Sequence, residues 1–513
     1  MGLSIQGFVT VLVAFISLSV ALYLRIFPHR VSGDELGVDH WFWKAYVETY
    51  RRERHFPPTL PQYILDEEQW YPPLFPLFLT RLPRIIFNDY NHLLATLIDL
   101  IRMLLMLYFT GLLTDWNPWA LGAAGLSYAT TPILISYNIQ LNPRGLGALF
   151  LDGLIVLCFW LLLMGGSTWL LLPILLLSGC ILLTHKMTTQ LFWFLCLVGA
   201  FWVNKWFLTL IPASVLIAMI LSRGFYWKVL RAHWDIVSFW HRNWRWLQAH
   251  PIKESPIYGE AGYETPTKMH RKGLPGLVRH LRYLLGYHPG VWMLCMVVAG
   301  GLIPLEANET IWIVGWTAFI LSFASLTVFV PWMKCLGSGY FYLYNAAFPA
   351  ALLWGVAVSL VEMNLLVMIY FIITVALNLI SIAAFSQKLR FSKTQKTDQH
   401  FGSLLNYLRN APKGSVMCLP PQWYDRVAYE TGQPVLYGGH GFGFMLLESV
   451  FPRLLVPIRE IVERYYIRYL ITIDGYLPAN FVSDLVCETV RDFGAYRLFL
   501  LTCDSAESEQ PNE

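Results

Sequence analysis

Apolar runs of membrane-spanning length recur through the first 386 positions, separated by short polar breaks. The hydrocarbon core of a bilayer takes about 20 apolar residues of helix to cross. The runs predict eleven such helices, at about 4–27, 93–114, 119–137, 145–165, 168–184, 189–204, 206–222, 287–305, 309–333, 340–361 and 364–386. Three stretches break the pattern: 28–92, 223–286 and the tail 387–513. The opening run, "MGLSIQGFVTVLVAFISLSVALYLRIF", lacks a signal peptide's basic start, exceeds its apolar length and precedes no small-residue cleavage site. It reads as a retained first membrane helix.

An odd number of crossings sets the two ends of the chain on opposite sides. With the N-terminus inside, 28–92, "YNIQLNPRG", "THKMTT", 223–286, "KCLGSG" and the tail all lie outside. The other connections, "TDWNP", "MGGST", "NK", "EANE" and "EMN", are minimal. One face therefore carries nearly all the residues capable of chemistry. The Lys- and Arg-rich 223–286 loop runs against the positive-inside tendency, which is weak for long loops.

The tail changes period. "SVMCLP", "PVLYG", "RYLITID" and "YRLFLLT" are short β-rich runs, with helix-like stretches such as "PANFVSDLVCETVRDF" between them. That alternation predicts a small α/β domain with a parallel, Rossmann-like sheet. The final ten residues are polar and are expected to fray.

Composition sharpens the class. The chain is 56% hydrophobic and 14% charged, with a mean hydropathy of +0.48, where soluble domains carry about 25% charge. This is a polytopic α-helical membrane protein with a small C-terminal α/β soluble domain. A net charge of +4 gives no reason to expect nucleic acid, and membrane lipids are the expected surroundings. The eight cysteines show no CxxC or Cys/His ligand spacing, so zinc and redox motifs are not supported.

Candidate chemistry begins at "GDELGVDHWFWKAYVETY", where Asp34, Glu35 and Asp39 precede a dense aromatic run. Helical spacing puts Trp41, Ala45 and Thr49 on one stripe, and Trp and Tyr favour the membrane–water boundary. A helix lying there holds Asp39 at its N-terminal end, near the bilayer surface. A carboxylate so placed suits removal of a hydroxyl proton or binding of a divalent cation, Mg or Mn; a solvated juxtamembrane loop is the plainer alternative. A second acidic group, Asp66, Glu67 and Glu68 in "DEEQWYPPLFPLFL", reads first as a solvated turn. Arg144, His185, Lys186 and Lys334 sit at predicted outer helix ends. Each alone suits an interfacial anchor, and together they suit a phosphate at that depth, Arg144 best because its guanidinium binds two oxygens at once.

Three further features remain. "RGFYWKVLRAHWDIVSFWHRNWRWLQAH" interleaves Trp with basic residues as an interface-plane helix does, and the Gly- and Pro-containing "YGEAGYETPTKMHRKGLPG" after it suits a lid. Asp99 and Arg102 share a helical face and are expected to neutralise each other, while Asp152 needs a polar cavity or a partner such as Arg144. "LYGGHGFGF", with His440, is a strand-to-helix connection lacking a full dinucleotide fingerprint.

"GDE", and "DHWFWKAY" followed by "DEEQWYPP", resemble the first-loop acidic motifs of the GT-C superfamily of polyprenyl-lipid-dependent glycosyltransferases, oligosaccharyltransferase catalytic subunits among them. The resemblance implies a catalytic transmembrane domain over 1–386, with external loops 28–92 and 223–286, and an external α/β domain over 387–513. It implies an inverting glycosyltransferase, a polyprenyl-phosphate or -diphosphate sugar donor, and a glycan, lipid or protein acceptor on the outer face. Asp39, or Asp34 with Glu35, would match the catalytic acidic residue of the first motif, acting as base or metal-bound carboxylate. The plasma membrane is the expected location, an internal membrane the alternative. The chain departs from the oligosaccharyltransferase pattern in two places. "YNIQLNPRG" contains no carboxylate, and the acceptor motif WWDYG is echoed only loosely by "WYDRVAYETGQPVLYGG". An oligosaccharyltransferase acting on protein, a transporter or flippase, and a sensor with a ligand-binding tail are the competing readings.

Overall fold

The computed structural model describes residues 5–32, 39–65, 68–244, 274–360, 364–394, 397–419, 423–438, 443–449, 451, 455–475, 477, 483 and 485–502. In chain order the first helices are α1 (Ile5–Ser32), α2 (Asp39–Glu53), α3 (Leu74–Arg81), α4 (Arg84–Tyr90), α5 (Leu94–Leu113), α6 (Pro118–Ala129) and α7 (Pro132–Tyr137). Next come α8 (Arg144–Leu163), α9 (Leu171–Leu182), α10 (Lys186–Trp202), α11 (Phe207–Leu221), α12 (Tyr226–Asn243), α13 (Leu274–Tyr287) and α14 (Pro289–Ala299). The last are α15 (Asn308–Phe329), α16 (Leu343–Leu360), α17 (Leu365–Thr394), α18 (Thr397–Asn410), α19 (Tyr424–Thr431) and α20 (Ile458–Arg464). The strands are β1 (Ser415–Leu419), β2 (Ile467–Ile473), β3 (Cys487–Phe493) and β4 (Tyr496–Leu501).

Among the described residues, six helical segments are long and apolar enough to cross a membrane: Ile5–Val31, Arg84–Leu113, Arg144–Leu163, Asn308–Phe329, Gly339–Leu360 and Leu365–Arg390. Thr168–Leu182, Phe207–Leu221 and Pro289–Ala299 are shorter apolar helices. The run predicted as one helix over 119–137 is divided into α6 and α7. Pro132 has no N–H to donate and disfavours a helical residue before it, and Thr131 is extended, with φ −63° and ψ 115°. The start of α6 is fixed by Asn117, whose Oδ1 accepts from the backbone N–H of Trp119 at 2.9 Å and of Ala120 at 3.2 Å.

The chain forms two compact units. The first comprises Met1–Gly37, Pro72–His233 and Lys272–Ser392. Its centre is α16, buried along Leu343–Val358 and packed on α5, α6, α14 and α15. The buried face is rich in small residues, which let helix backbones approach in an apolar medium. A Cβ at Gly355 would lie 2.8 Å from Thr110 Cγ2 and 3.0 Å from the Ala120 carbonyl. Two fully buried ion pairs cross this unit, Arg25–Asp99 from α1 to α5 and Arg102–Asp152 from α5 to α8. The expected Asp99–Arg102 pairing within α5 is therefore replaced by pairings between helices. Tyr128 donates to Asp99 Oδ1 at 2.8 Å, and Arg25 to the Ala129 carbonyl at 2.9 Å.

The second unit comprises Val38–Tyr71, Trp234–Arg271 and Lys393–Glu513. Its sheet has the order β1-β2-β4-β3. Only β1 and β2 pair parallel; β2–β4 and β3–β4 are antiparallel. The sheet is mixed, which corrects the parallel, Rossmann-like expectation. Of the helix-like stretch 478–493, residues 478–482 and 484 lie outside the described residues, and Cys487–Phe493 is not helix but β3, joined to β4 through Gly494 at φ +63°. A tight turn directly between two β-capable runs makes a hairpin, and that local signal outweighed helical spacing. "PVLYG" forms bridges only, Val435 pairing with Val416 and with Tyr63. The seven described cysteines are free.

Candidate functional site

In the first unit, the sequence-predicted basic residues lie on elements that converge. α8 opens at Arg144 and α10 at Lys186, directly after His185. Their first turns touch. A Cβ on Gly147 would lie 2.8 Å from Thr188 Oγ1 and 3.2 Å from His185 Cβ, so glycine is what permits this approach. His185 is buried, and its Nδ1 shares a 3.0 Å hydrogen bond with Thr188 Oγ1. Lys334 lies in the 3-10 turn Pro331–Leu336. The glycine ending that turn, Gly337, faces Met187 of α10, and a Cβ there would lie 3.3 Å from the methionine's terminal methyl. Burial holds the Lys334 ammonium below the usual lysine range.

Arg144 has the most distinctive environment of the four. Its guanidinium carbon lies 4.7 Å from the centroid of the Tyr137 ring and 4.7 Å from that of Phe341. Its backbone N–H donates to Asn142 Oδ1 at 3.0 Å, which fixes the start of α8. Nε and Nη1 are buried and find no hydrogen-bond partner among the described residues. Buried donors are nearly always satisfied, and leaving a charged one unmade costs more than a neutral one. Two aromatic faces offset part of that cost through cation–π attraction, yet they supply no acceptor. The Tyr287 ring of α13 lies tilted beside Tyr137, with centroids 6.1 Å apart.

A second polar cluster lies behind Lys186. Gln190 Nε2 donates to His233 Nε2 at 2.9 Å, and the Tyr342 hydroxyl lies 2.6 Å from Gln190 Oε1. Burial first, then the charge of Lys186, pushes His233 down to about 3, so its ring is neutral. Asp152, expected from the sequence to face a polar cavity or a partner such as Arg144, is paired with Arg102.

In the second unit, Asp39 is the first residue of α2, where a carboxylate complements the helix dipole. α2 packs on α19. Trp41 meets Tyr429 at 5.6 Å, and the Tyr429 hydroxyl donates to Glu48 Oε1 at 2.7 Å. Tyr63 donates to the buried carboxylate of Asp425 at 2.9 Å. Glu68 is exposed and accepts from Trp70 Nε1 at 2.7 Å. Where α12 ends, Arg242 and Asn243 bind Glu448, at 2.6 Å and 2.9 Å, and Arg242 holds that carboxyl below its usual range. Asp34, Glu35, Asp66, Glu67, His440 and most of the lid stretch 258–276 lie outside the described residues. Mg²⁺ or Ca²⁺ sites are built from several oxygen ligands. Among the described residues no three His, Cys, Asp or Glu side chains gather, so these residues do not by themselves make a metal site.

The sequence reading missed Tyr137, Phe341, Tyr344 and the Gln190–His233–Tyr342 cluster. The signal for two of them was present, since Tyr137 stands seven residues before Arg144 and Phe341 sits within the aromatic run "GYFYLY".

No family model matches the chain, and no curated protein matches it. Solved structures do. ArnT from Cupriavidus metallidurans bound to undecaprenyl phosphate aligns over 97% of this chain and 98% of its own, with TM-score 0.51 and 11% identity. The apo oligosaccharyltransferase of Archaeoglobus fulgidus aligns over 90% and 69%, with TM-score 0.50 and 12% identity. The same enzyme tethered to an acceptor peptide containing the NVT sequon aligns over 90% and 69%, with TM-score 0.50 and 13% identity. At such identities the likeness is one of fold alone, to ArnT and to this oligosaccharyltransferase.

Proposed function

We propose that this protein is an integral membrane glycosyltransferase. It moves a sugar from a polyprenyl phosphate or diphosphate carrier to an acceptor hydroxyl on the outer face of the membrane. The observation that carries the reading is Arg144, with two buried guanidinium nitrogens lacking acceptors among the described residues. Phosphate oxygens complete that geometry with parallel, charge-assisted hydrogen bonds. Lys186, Lys334 and His185 add positive charge and donors, and the first turns of α8 and α10 add backbone N–H groups. The end-to-end likeness to a fold caught with undecaprenyl phosphate supports the carrier class.

In the proposed reaction the acceptor oxygen attacks the anomeric carbon opposite the phosphate. The sugar–phosphate C–O bond breaks with its electron pair leaving on phosphate oxygen, and the configuration inverts. The basic set stabilises that departing charge. Asp39, or Asp34 with Glu35, takes the acceptor proton. Asp66, Glu67 and Glu68 remain secondary candidates, His440 is a candidate acceptor contact, and the second unit helps to bind the acceptor. No step is routed through a metal.

The test is transfer from a polyprenyl-linked sugar by the purified full chain. Asp39→Asn, Asp34→Asn and Glu35→Gln are made one at a time. Transfer that survives all three losses in folded protein sinks the assignment. Chelation by EDTA tests the divalent cation separately, and a sequon-containing peptide offered as acceptor tests transfer to protein.

A further inference from the structure

Arg144 is held between the Tyr137 and Phe341 rings, and the segments that carry them are themselves tied together. Tyr137 and Asn138 end α7, while Phe341 belongs to the 3-10 turn Gly339–Tyr342 that runs into α16. The first turn of α16 bridges the two. The Tyr344 hydroxyl donates to Asn138 Oδ1 at 2.9 Å. It also faces α8 one residue from Arg144, 3.2 Å from where a Gly145 Cβ would be. Arg102 fixes this turn from below. Its Nη1 donates to the Tyr344 carbonyl at 3.1 Å, and its Nη2 reaches the Asn345 carbonyl at 3.4 Å. Its guanidinium carbon lies 5.2 Å from the Tyr344 ring centroid, and Asp152 anchors it through Nε.

We infer that Tyr344, held by Arg102, is a positioning residue that sets the gap between the Tyr137 and Phe341 rings and so aims the Arg144 guanidinium. This rests on the reading of Arg144 as the phosphate ligand. A guanidinium binds phosphate at two points only when its plane is fixed, and the two rings fix that plane. Tyr344 touches both ring-bearing segments, one through its side chain and one through the chain itself. Loss of its hydroxyl leaves the ring, the Arg102 contact and the core packing in place.

The experiment measures binding of farnesyl phosphate and of farnesol to the full chain, with thermal unfolding in parallel. Tyr344→Phe and Asn138→Ala break the same hydrogen bond from either side, so either one alone suffices if the other fails to fold. Each is expected to weaken farnesyl phosphate binding about fivefold, the value of one hydrogen bond. Farnesol binding stays unchanged, and the unfolding midpoint falls by no more than the loss of one buried hydrogen bond requires. In an Arg144→Lys background, where no plane remains to be aimed, Tyr344→Phe adds less than about a twofold loss, the non-additivity expected of coupled groups. Normal farnesyl phosphate binding by both variants, while Arg144→Gln loses it, overturns the inference and leaves the donor reading intact. Equal losses for farnesol, or the full loss again in the Arg144→Lys background, make the role merely structural and overturn it too. Normal binding by Arg144→Gln overturns both.

Discussion

Arg144 keeps two buried guanidinium nitrogens without an acceptor among the described residues, which is costly. Its replacement therefore separates charge from geometry. Arg144→Gln is expected to weaken binding of a polyprenyl phosphate by about 10- to 100-fold, the range of about 1.5–3 kcal/mol for a charge-assisted hydrogen bond. Arg144→Lys restores the charge as a point, without the planar fork or the flat face that lies between Tyr137 and Phe341. It is expected to recover only part of the loss in a titration against the same lipid. His233 gives a second residue-scale prediction with a definite sign. Its folded value near 3 lies below the ordinary 6.5. Between those values the unfolded chain binds more protons than the folded one, so stability rises with pH. The unfolding midpoint is expected to be full above about pH 6.5 and to fall as the pH drops towards 3. His233→Gln, which keeps a polar neighbour for Gln190 without a titrating ring, is expected to flatten that stretch of the profile.

Between elements, Gly147 controls how closely α8 and α10 approach. A methyl group there meets Thr188 Oγ1 at 2.8 Å, and Thr188 shares the hydrogen bond of His185. Gly147→Ala is expected to destabilise by about 1–3 kcal/mol, the usual cost of overpacking, and to weaken donor binding as His185 shifts. Thr188→Ala in the same chain relieves the clash and is expected to recover the unfolding midpoint but not the affinity. Most elements of this kind were legible in the sequence, because apolar length and proline position act locally. The start of α8 after Pro143 is an example, whereas the break before Pro132 divides a run that reads as one helix over 119–137. The mixed sheet was not legible. Hairpin β3–β4 was hidden by a stretch whose spacing also fits a helix, and strand direction depends on partners distant in sequence. The basic members of the candidate site were found as charges at helix ends. Their aromatic neighbours were not read, although Tyr137 stands seven residues before Arg144 and Phe341 lies in an aromatic run, because a chain with 27 Tyr and 32 Phe offers many such rings.

At the scale of the molecule, the first unit uses two ion pairs where most membrane helices would use apolar contacts, and the pairs invite a test that separates stability from function. Arg102 and Asp152 are both fully buried. Removing one partner strands the other charge and costs about 3–5 kcal/mol, whereas replacing both by apolar residues of similar volume is often neutral or stabilising. Asp152→Asn alone is thus expected to lower the unfolding midpoint sharply. Arg102→Met with Asp152→Leu is expected to restore it. The restored chain nevertheless lacks the donors that hold the Tyr344 and Asn345 carbonyls, so α16 begins without its clamp. Its unfolding midpoint should match the parent's while its binding of farnesyl phosphate falls, as measured on the same preparation. The corresponding pair between α1 and α5, Arg25–Asp99, is the control. Arg25→Met with Asp99→Leu disturbs an equally buried pair with no hydrogen bond to α16 among the described residues, and is expected to leave donor binding at the parental level. If the two double variants lose binding alike, the ion pairs serve the bundle as a whole and Arg102 has no separate part in aiming Arg144.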